Sequence, residues 1–596
     1  EIAQCLVGSE MCIRDRAFVP IVRRGGKYYK LASFKMNIVR SPKTLTRALS
    51  VAAGKTAAER YASNSVLSQG RWVKIGITED GVYRLTAADL RRMGFNDPSR
   101  VKLYGYGGHV QDEVIDADTD FDDLEEVPLY RDERGLLFFG KGLISWSATD
   151  RRGRATHRVN TFAKQACYFL TEGDSPRTIE KAAVSGSPQK NLDYTPANVL
   201  YKKEEYAWYQ SGRNFYESAN YASSNSRTYQ LPVVDPVASA GGSLKVSFTA
   251  HTTKDEGDSY VTPTVDGVKL SAMRISWSGE YDAAKEGTQT YTLNTLHEGT
   301  TGTQVTLVST AGVDGRLGYL ELCYRRQLKM RDAFLYIRHT ETVPSNFVID
   351  ANGRSGLKLW CLGRRGNPMT EYQGTWSGST YTVPVSDPTV EYVAVDVNAD
   401  FPSPSYIGEV ANQNLHATPA TDMVIIIPAS GKLYAQAERL AEAHRSVDGL
   451  RVQIVRADQI YNEFSSGTPD ATAYRRFMKM LYDRAATDAD MPRYLLLFGD
   501  GMWDNRMITA DTRGLNPDDY LLCYESENSL SHTSSFVMED YFGLLDDGEG
   551  DNLMKNKIDL GIGRFPVTTE AEAKILVDKT VDYMENKYAC LLYTSP

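Results

Sequence analysis

The sequence predicts a multidomain chain in which β-rich, sandwich-like domains precede the first part of an α/β domain with a parallel sheet. From about residue 201 to 402, short alternating apolar and polar runs recur between Gly, Asp, Asn and Ser turns, as in antiparallel sandwiches. After about residue 411, continuously apolar runs alternate with segments of helical periodicity, the order of a doubly wound sheet. At 596 residues, the chain is also too long for one ordinary core.

Composition narrows the classes of function. The net charge of −9 is mild and spread along the chain without a basic block, so nucleic acid is not an expected partner. No apolar run approaches the ~20 residues of a membrane-spanning helix. Tyrosine is abundant, at 36 residues against 19 Phe, a tendency of β-rich secreted or surface proteins.

The residue patterns at both ends of the sequence differ from those of the rest of the chain. Residues 1–16 (EIAQCLVGSEMCIRDR) and 590–596 (CLLYTSP) resemble translated adaptor sequence, and we expect neither to belong to the fold. We expect the native termini, including a signal peptide, to lie outside the sequence. The predicted parts are an N-terminal β segment and linker at 17–65, a β-rich domain at 66–200, a sandwich at 201–410 and an α/β domain at 411–589.

The first β-rich part contains recognisable turns and caps. A hairpin is predicted at Gly25-Gly26, and Trp72–Ile77 alternates like a strand with one buried face. Thr86 opens a short helix that Gly94 ends. The acidic run Asp116–Glu126 is interpreted as a solvated loop rather than a site.

The α/β part is predicted as four parallel strands with helices between them. The expected strands are Met423–Ile427, Leu450–Val455, Tyr494–Phe498 and Lys557–Gly563. The expected helices cover residues 433–444, 458–464, 471–486 and 569–586. In such sheets, ligands bind beyond the carboxyl ends of the strands.

Asp500 and Asp504 follow the strand Tyr494–Phe498 and are therefore candidate functional carboxylates. Carboxylates at this edge could take part in catalysis, bind a metal ion or brace the loop. For Asp500, the favoured interpretation is that it caps local backbone N–H groups. His444 falls at a packing position on a helix, and His532 lies in a polar loop without a paired nucleophile.

Catalytic signatures are largely absent. The sequence contains no HExxH, GxSxG or Walker A motif and no GxGxxG after a strand. Outside the terminal segments there are four cysteines, Cys167, Cys323, Cys361 and Cys523. Buried thiols are expected, although Cys323 and Cys361 could pair. Cys523 lies in an apolar run and is interpreted as a core thiol.

Two late motifs carry a family resemblance. Residues 540–543 (DYFG) and 563–566 (GRFP) flank an acidic turn, an order that resembles the gingipain-like cysteine peptidases of family C25. The segments VLSQGRWVKI, VKLYGYGG, NQNLHA and IYNEFSSGTPDATAYRRFMKMLYDRA extend the resemblance over residues 17–589, to sortases of the type IX secretion system of Bacteroidetes. The resemblance implies β-rich N-terminal domains followed by a caspase-like α/β unit.

The resemblance also implies a function. The expected activity is that of a cell-surface or outer-membrane cysteine endopeptidase, exported by a signal peptide. It removes the C-terminal sorting domain of secreted cargo and transfers the cargo to anionic lipopolysaccharide. The expected partners are this cargo and outer-membrane components of the type IX system. A non-catalytic gingipain-like surface scaffold or a carbohydrate-binding adhesin is the alternative.

The resemblance assigns no catalytic residue within this sequence. The catalytic His, followed by Gly, and the catalytic Cys of the family match no position here and are expected beyond residue 589. No cofactor is required, but gingipain-like enzymes carry calcium. The acidic turn is therefore a candidate Ca²⁺ site, and a plain solvated turn is the other interpretation. Its candidate ligands are Asp540, Asp546, Asp547, Glu549 and Asp551.

Overall fold

The structure is a computed structural model that describes residues 21–24, 27–30, 60–116, 122–147, 154–237, 239–363, 368–386, 390–553 and 555–585. Strands β1–β11 span Ile21–Arg24, Lys27–Lys30, Trp72–Ile77, Gly81–Leu85, Val101–Tyr104, Glu126–Val127, Tyr130–Asp132, Gly135–Gly140, Ile144–Trp146, His157–Val159 and Ala166–Glu172. Strands β12–β22 span Glu180–Lys181, Lys190–Leu192, Tyr194–Tyr201, Ser226–Val233, Gly242–His251, Ser259–Val265, Val268–Lys269, Met273–Ile275, Lys285–Leu293, Gly299–Ser309 and Asp314–Gln327.

The later elements follow in the same order. Strands β23–β34 span Phe334–Arg338, Ser345–Asp350, Leu357–Cys361, Thr370–Tyr372, Thr375–Ser377, Thr380–Val385, Glu391–Asp396, Ser405–Val410, Met423–Ile427, Val452–Arg456, Tyr494–Phe498 and Gly561–Phe565. Helices α1–α5 span Ala87–Arg92, Tyr434–Ala443, Ala457–Phe464, Thr472–Arg484 and Glu570–Met584. Short 3-10 helices span Val66–Ser68, Pro98–Arg100, Leu415–Ala417, Asp488–Asp490, Pro517–Asp519 and Glu539–Gly543.

The first β-rich region is built from a five-stranded sheet, β30-β3-β11-β5-β6, and a three-stranded sheet, β4-β8-β7. The predicted N-terminal hairpin is present as β1 paired with β2. Helix α1 begins with a capping box, since the N–H of Asp89 donates to Oγ1 of Thr86 at 3.1 Å while the Asp89 carboxylate accepts from the Thr86 N–H. Strand β3 is buried on both faces rather than one. Its Lys74 reaches across to Asn462 of the α/β region at 3.2 Å, which explains the difference.

The middle of the chain forms two sandwiches where the sequence analysis predicted one over residues 201–410. The first packs β14-β22-β16-β20 on β15-β21-β17-β18, and the second packs β12-β26-β25-β29-β23 on β13-β24-β28-β27. The sheets also cross the predicted boundaries at residues 200 and 410. Strands β12–β14 begin before residue 200, and β30 returns to pair with β3. Period-2 patterning predicts strands but not which strands share a sheet.

The last region is a parallel sheet of order β32-β31-β33-β34. Apolar residues cover both faces, with α2 and α5 on one side and α3 and α4 on the other. The first three strands lie close to their predicted positions, and β33 spans Tyr494–Phe498 as predicted. Strand β34 begins at Gly561 rather than Lys557, because Asp559 donates its N–H to Gly543 O at 2.9 Å and so belongs to the preceding turn.

Helix α4 is buried on every side, from Thr472 to Asp483, although it carries several charged residues. The first β-rich region covers its outer face. The Arg475 guanidinium donates to the Glu113 carbonyl there, and to the Glu549 carbonyl at 2.9 Å. Backbone carbonyls therefore satisfy a cation that the sequence alone would place in solvent.

Within the described ranges, no helix has both the length and the apolar character needed to cross a bilayer.

Candidate functional site at the carboxyl ends of the parallel strands

Strands β31, β33 and β34 end at one edge of the parallel sheet, at Ile427, Phe498 and Phe565. The loop after β33 covers this edge, and we call residues 499–538 the strand-end loop. This is the edge where open α/β sheets bind ligands. The strand-end loop contains Asp500, Asp504, Cys523 and His532, four of the residues considered in the sequence analysis.

Asp500 caps the turn that begins the strand-end loop. Its Oδ1 accepts the N–H of Gly501 at 2.9 Å, and its own N–H donates to Val567 O at 3.0 Å. The local interpretation favoured for Asp500 therefore describes its contacts. Gly501 is required for close packing, because a Cβ there would lie 2.1 Å from the Sγ of Cys523.

Asp504 is fully buried and braces the strand-end loop from within. Its Oδ2 accepts the N–H groups of Ile508 and Thr509, each at 2.8 Å, and the hydroxyl of Thr512 at 2.6 Å. Among the described residues, its Oδ1 has no hydrogen-bond partner. Asp504 therefore has the geometry of a bracing residue rather than that of an exposed acid.

Arg564, within the GRFP motif, ties three segments together at this edge. Its Nη1 donates to Gly499 O at 2.9 Å, its Nη2 to Leu522 O at 3.2 Å and its Nε to the carboxylate of Glu539 at 2.5 Å. Burial opposes its charge, but Cys523 and Glu539 nearby raise the pKa of Arg564 above its ordinary value. In the sequence, the GRFP motif indicates a family resemblance but does not predict this role of Arg564.

Cys523 is the thiol nearest the candidate site, and it is buried. Burial raises its pKa to about 12 even though the Arg564 guanidinium acts in the opposite direction. Asn505 holds its backbone, accepting the Cys523 N–H at 2.8 Å and donating to the Cys523 carbonyl at 3.0 Å. A nucleophilic cysteine needs a lowered pKa, so Cys523 is a core thiol, as predicted. Of the described cysteines, none forms a disulfide, including Cys323 and Cys361.

The two histidines considered from the sequence have separate positions. His532 is exposed, stacks on Tyr209 of the first sandwich at 4.7 Å between ring centroids and donates its N–H to Tyr281 O at 2.8 Å. His444 lies at the end of α2, partly buried, with Nδ1 2.7 Å from Asp448. Both contacts are structural ones.

The acidic turn uses its carboxylates within the protein. Asp547 accepts from Arg60 at 2.8 and 3.0 Å and lies 2.8 Å from Nζ of Lys479. Partial burial disfavours its charge, but these cations lower the pKa of Asp547 to about 2. Asp546 accepts the Tyr482 hydroxyl at 3.0 Å, and Glu549 accepts the N–H of Lys557 at 3.3 Å.

This arrangement does not fit the predicted calcium site. Calcium needs six to eight oxygen ligands that converge, whereas Asp540 and Asp551 are exposed and the other three carboxylates have protein partners. Over the described ranges, no group of three or more His, Cys, Asp or Glu side chains has a metal-binding arrangement. Calcium binding by the turn stays a prediction.

A fully buried histidine, His416, forms an ionic cluster that the sequence analysis missed. Its Nδ1 lies 2.6 Å from Glu463, and its Nε2 lies 3.0 Å from Asp122. Burial opposes the charge, but the two carboxylates and Asp123 nearby raise the pKa of His416 to about 9. The ring also stacks on Phe464 at 4.8 Å between centroids. His416 is therefore charged at neutral pH.

The cluster corrects the interpretation of the acidic run at residues 116–126. Residues 117–121 lie outside the described residues, but Asp122 and Asp123 are partly buried and hydrogen-bonded to the protein. Asp122 accepts the Ala62 N–H at 2.6 Å, and Asp123 accepts the Ser65 hydroxyl at 3.0 Å. The two aspartates thus join the N-terminal segment to the α/β region through His416. Only the isolated histidine in NQNLHA signalled this in the sequence.

Comparisons with known proteins agree with this architecture. The family model described as Peptidase family C25 matches residues 416–592. The structure is similar to the crystal structure of dimeric latent PorU from Porphyromonas gingivalis, at 30% sequence identity and a TM-score of 0.77. The match covers 88% of this chain and 50% of that chain, so the chain spans about half the length of the solved relative.

Two further solved structures are much less similar than PorU. An active-site mutant of a family two carbohydrate esterase from Clostridium thermocellum is 10% identical, with a TM-score of 0.14, covering 66% of this chain and 99% of that one. An acetyl xylan esterase from Butyrivibrio proteoclasticus is 10% identical, with a TM-score of 0.13, covering 67% and 100%. Neither supports an argument about fold or function. No curated protein matches the sequence.

The C25 match and the similarity to PorU together show that the chain belongs to the PorU-like, gingipain-like proteins of peptidase family C25.

Proposed function

We propose that the chain belongs to a cell-surface cysteine endopeptidase that acts as a sortase. In this proposal, the enzyme removes the C-terminal sorting domain of cargo from the type IX secretion system and transfers the cargo to anionic lipopolysaccharide. The observation that carries the proposal is the similarity to latent PorU, which extends over 88% of this chain and is not confined to the C25 region. Cargo proteins and outer-membrane components of the secretion system are the proposed partners.

The chemistry of this class needs a thiolate, a histidine that moves the proton and an acyl-enzyme that water or an amine resolves. Cys523 does not supply the thiolate, because it is buried and its pKa is about 12. The described part of the chain instead supplies a parallel sheet and the strand-end loop. This loop forms one wall of the candidate site, at the edge where the strands end. Arg564 and Asp504 hold that wall in position.

The test is cleavage and transfer by the purified natural protein. It is incubated with a cargo protein that ends in a sorting domain, with and without an amine acceptor, and the products are analysed by mass spectrometry. We expect loss of the sorting domain and, with the acceptor, a new amide at the cargo C-terminus. A thiol-alkylating agent should abolish both reactions. Cys523→Ala should leave both reactions unchanged, since this thiol is buried and its pKa is raised.

Residues 17–589 alone form the second arm of the test. We expect this segment not to cleave the cargo, because Cys167 and Cys523 are both buried thiols with raised pKa values and Cys323 and Cys361 lie in the sandwiches. Alkylation-sensitive cleavage by the purified segment would show that one of these thiols is the nucleophile.

The buried thiols favour one alternative, a non-catalytic gingipain-like surface scaffold. In that case, the natural protein would leave the cargo intact while still binding it or an anionic glycan. A carbohydrate-binding adhesin predicts glycan binding without any cargo binding. The cleavage assay separates the sortase from the other two functions, and titration with a sorting domain and with lipopolysaccharide separates a cargo-binding scaffold from a carbohydrate-binding adhesin.

A further inference from the structure

The first sandwich and the strand-end loop are joined by hydrogen bonds between their backbones. The N–H of Arg213 donates to Ser526 O at 3.0 Å, and the N–H of Ala283 donates to Leu530 O at 2.7 Å. In the other direction, His532 donates its N–H to Tyr281 O at 2.8 Å. We call this contact the clasp, formed by residues 209–214 and 281–283 against residues 525–532.

Gly212 allows the two sides of the clasp to approach this closely. Its φ is +85°, and a Cβ at this position would lie 2.1 Å from the carbonyl oxygen of Asn528. The same Cβ would lie 2.5 Å from Oγ of Ser529. Any side chain here would therefore push the strand-end loop away from the sandwich.

Glu525 lies at the centre of the clasp and is only 1% exposed. Its Oε1 accepts the N–H of Gly212 at 3.3 Å. Arg213, the cation that acts on Glu525, already forms an ion pair with Glu113. Burial raises the pKa of Glu525 to about 8, with Arg213 opposing and Asp504 adding to the increase.

The charged and titratable groups around Glu525 come from three parts of the molecule. The first sandwich contributes Arg213 and Glu204, the first β-rich region contributes Glu113, and the strand-end loop contributes Asp504, Arg506, Tyr524 and Glu527. Arg506 is engaged by Glu204 at 2.6 Å. The cations named here thus have other carboxylate partners, so ionised Glu525 would gain little compensation.

The surroundings of the clasp are polar, so it can open without exposing a large core. A cavity of about 440 Å³ lies beside it, with Arg213, Asn214 and Glu527 in its wall. Among the described residues, two pairs of rings are in contact across the seam, Phe215 with Trp503 at 5.9 Å and Tyr209 with His532 at 4.7 Å. Two guanidinium groups also lie over rings across it, Arg213 over Tyr524 and Arg506 over Phe215. Hydrogen bonds therefore contribute much of what holds the clasp closed.

We propose that the clasp is a pH-sensitive lock between the first sandwich and the strand-end loop, closed by the neutral Glu525 carboxyl and loosened when this group ionises. When the clasp is open, Glu525 is hydrated and has its ordinary pKa of about 4.5; when it is closed, the value is about 8. Opening therefore becomes about tenfold more favourable per pH unit between these two values and changes little above pH 8. The lock sets the position of one wall of the candidate site and does not depend on the proposed peptidase activity.

Hydrogen exchange tests the lock directly. Exchange of peptides covering residues 525–532 is measured from pH 5.5 to 8.5 and corrected for the intrinsic pH dependence of amide exchange. In the unmodified protein, we expect the protection factor to fall up to tenfold per pH unit up to about pH 8. Peptides from β31 and β33 should keep their protection throughout, which shows that opening is local.

Two variants of neighbouring residues make the test specific. Glu525→Gln keeps the shape and cannot ionise, so its protection at residues 525–532 should be independent of pH. Glu527→Gln is the matched control, because this side chain is 85% exposed, and it should retain the dependence of the unmodified protein. A flat profile in the unmodified protein, or the same slope in Glu525→Gln, would overturn the proposal.

Discussion

Two buried titratable groups, His416 and Glu525, join the α/β region to the β-rich part of the molecule. Burial disfavours a charge on both, but only one of them is charged at neutral pH. His416 has Glu463 at 2.6 Å and Asp122 at 3.0 Å, so it remains a buried cation. Glu525 has an amide N–H at 3.3 Å and, among the residues that the structure describes, no cation of its own, so it remains a buried neutral acid. The difference teaches that the partner, rather than the depth of burial, decides whether a buried group carries charge.

The charge state of each group determines how the contact that it supports depends on pH. The His416 cluster ties the segment around Ala62 to the α/β region by charge, and its loss leaves two carboxylates without a cation. The Glu525 clasp depends on a proton, so it weakens in a range of pH where the charged cluster is intact. We therefore expect the cluster to act as a permanent tie and the clasp as an adjustable one.

The largest expected effect comes from removing the cation of the permanent tie. His416→Ala leaves Glu463 and Asp122 buried without it, and removal of one member of a buried ion pair costs about 3–5 kcal/mol of unfolding free energy. Denaturant unfolding of the chain measures the change. The matched control is His444→Ala, whose Asp448 partner is 43% exposed; it should cost less than about 1 kcal/mol. Equal costs for the two variants would contradict the comparison.

The second effect is the pH dependence of the same tie. The pKa of His416 is raised from 6.5 in the unfolded chain to about 9 in the folded one. Its stabilisation, on the order of 3 kcal/mol, is therefore fully present below pH 6.5 and is lost as the pH rises through 9. The measurement is the difference in unfolding free energy between the unmodified protein and His416→Gln. That difference should shrink from pH 6 to pH 10, and a constant difference would mean that His416 is neutral when folded.

The third effect concerns Arg564, which has both a charged partner and carbonyl partners. Arg564→Met removes its hydrogen bonds to Gly499, Leu522 and Glu539, at an expected cost of about 2 kcal/mol. The strand-end loop should loosen, so a disulfide reagent should modify Cys523 faster in the folded protein. Arg513→Met is the control, since this exposed arginine should contribute less than about 0.5 kcal/mol. An unchanged rate of modification would rule out Arg564 as the tie of this edge.

Local patterns predicted the elements of this fold well. Strand β33 at Tyr494–Phe498 is a continuous apolar run, and helix α1 begins directly after Thr86, as predicted. The contact of Asp500 is local as well, because the Gly501 N–H that it accepts belongs to the next residue. Such features depend on residues close in sequence, which a sequence pattern records directly.

The contacts that define the candidate site are long-range, and patterns do not record them. His416 and Asp122 are 294 residues apart, and the partner of Glu525 at Gly212 is 313 residues away. Helix α4 carries Arg475 and Lys479, whose charges predict exposure from the sequence alone. In the structure, the first β-rich region and the acidic turn cover both side chains. The resemblance to gingipain-like peptidases indicated the fold of these regions but not these pairs.

The smallest expected effect is that of calcium on stability. The carboxylates of the acidic turn are already engaged, and Asp547 in particular holds Arg60 and Lys479. A calcium ion would have to displace these cations, and Asp559, whose pKa burial raises to about 7, is half protonated near neutral pH. We therefore expect the melting temperature of the purified chain to be the same with EDTA and with millimolar calcium. A rise in calcium that Asp551→Asn and Asp540→Asn reduce would instead support the predicted site, because these two exposed carboxylates could move to bind the ion.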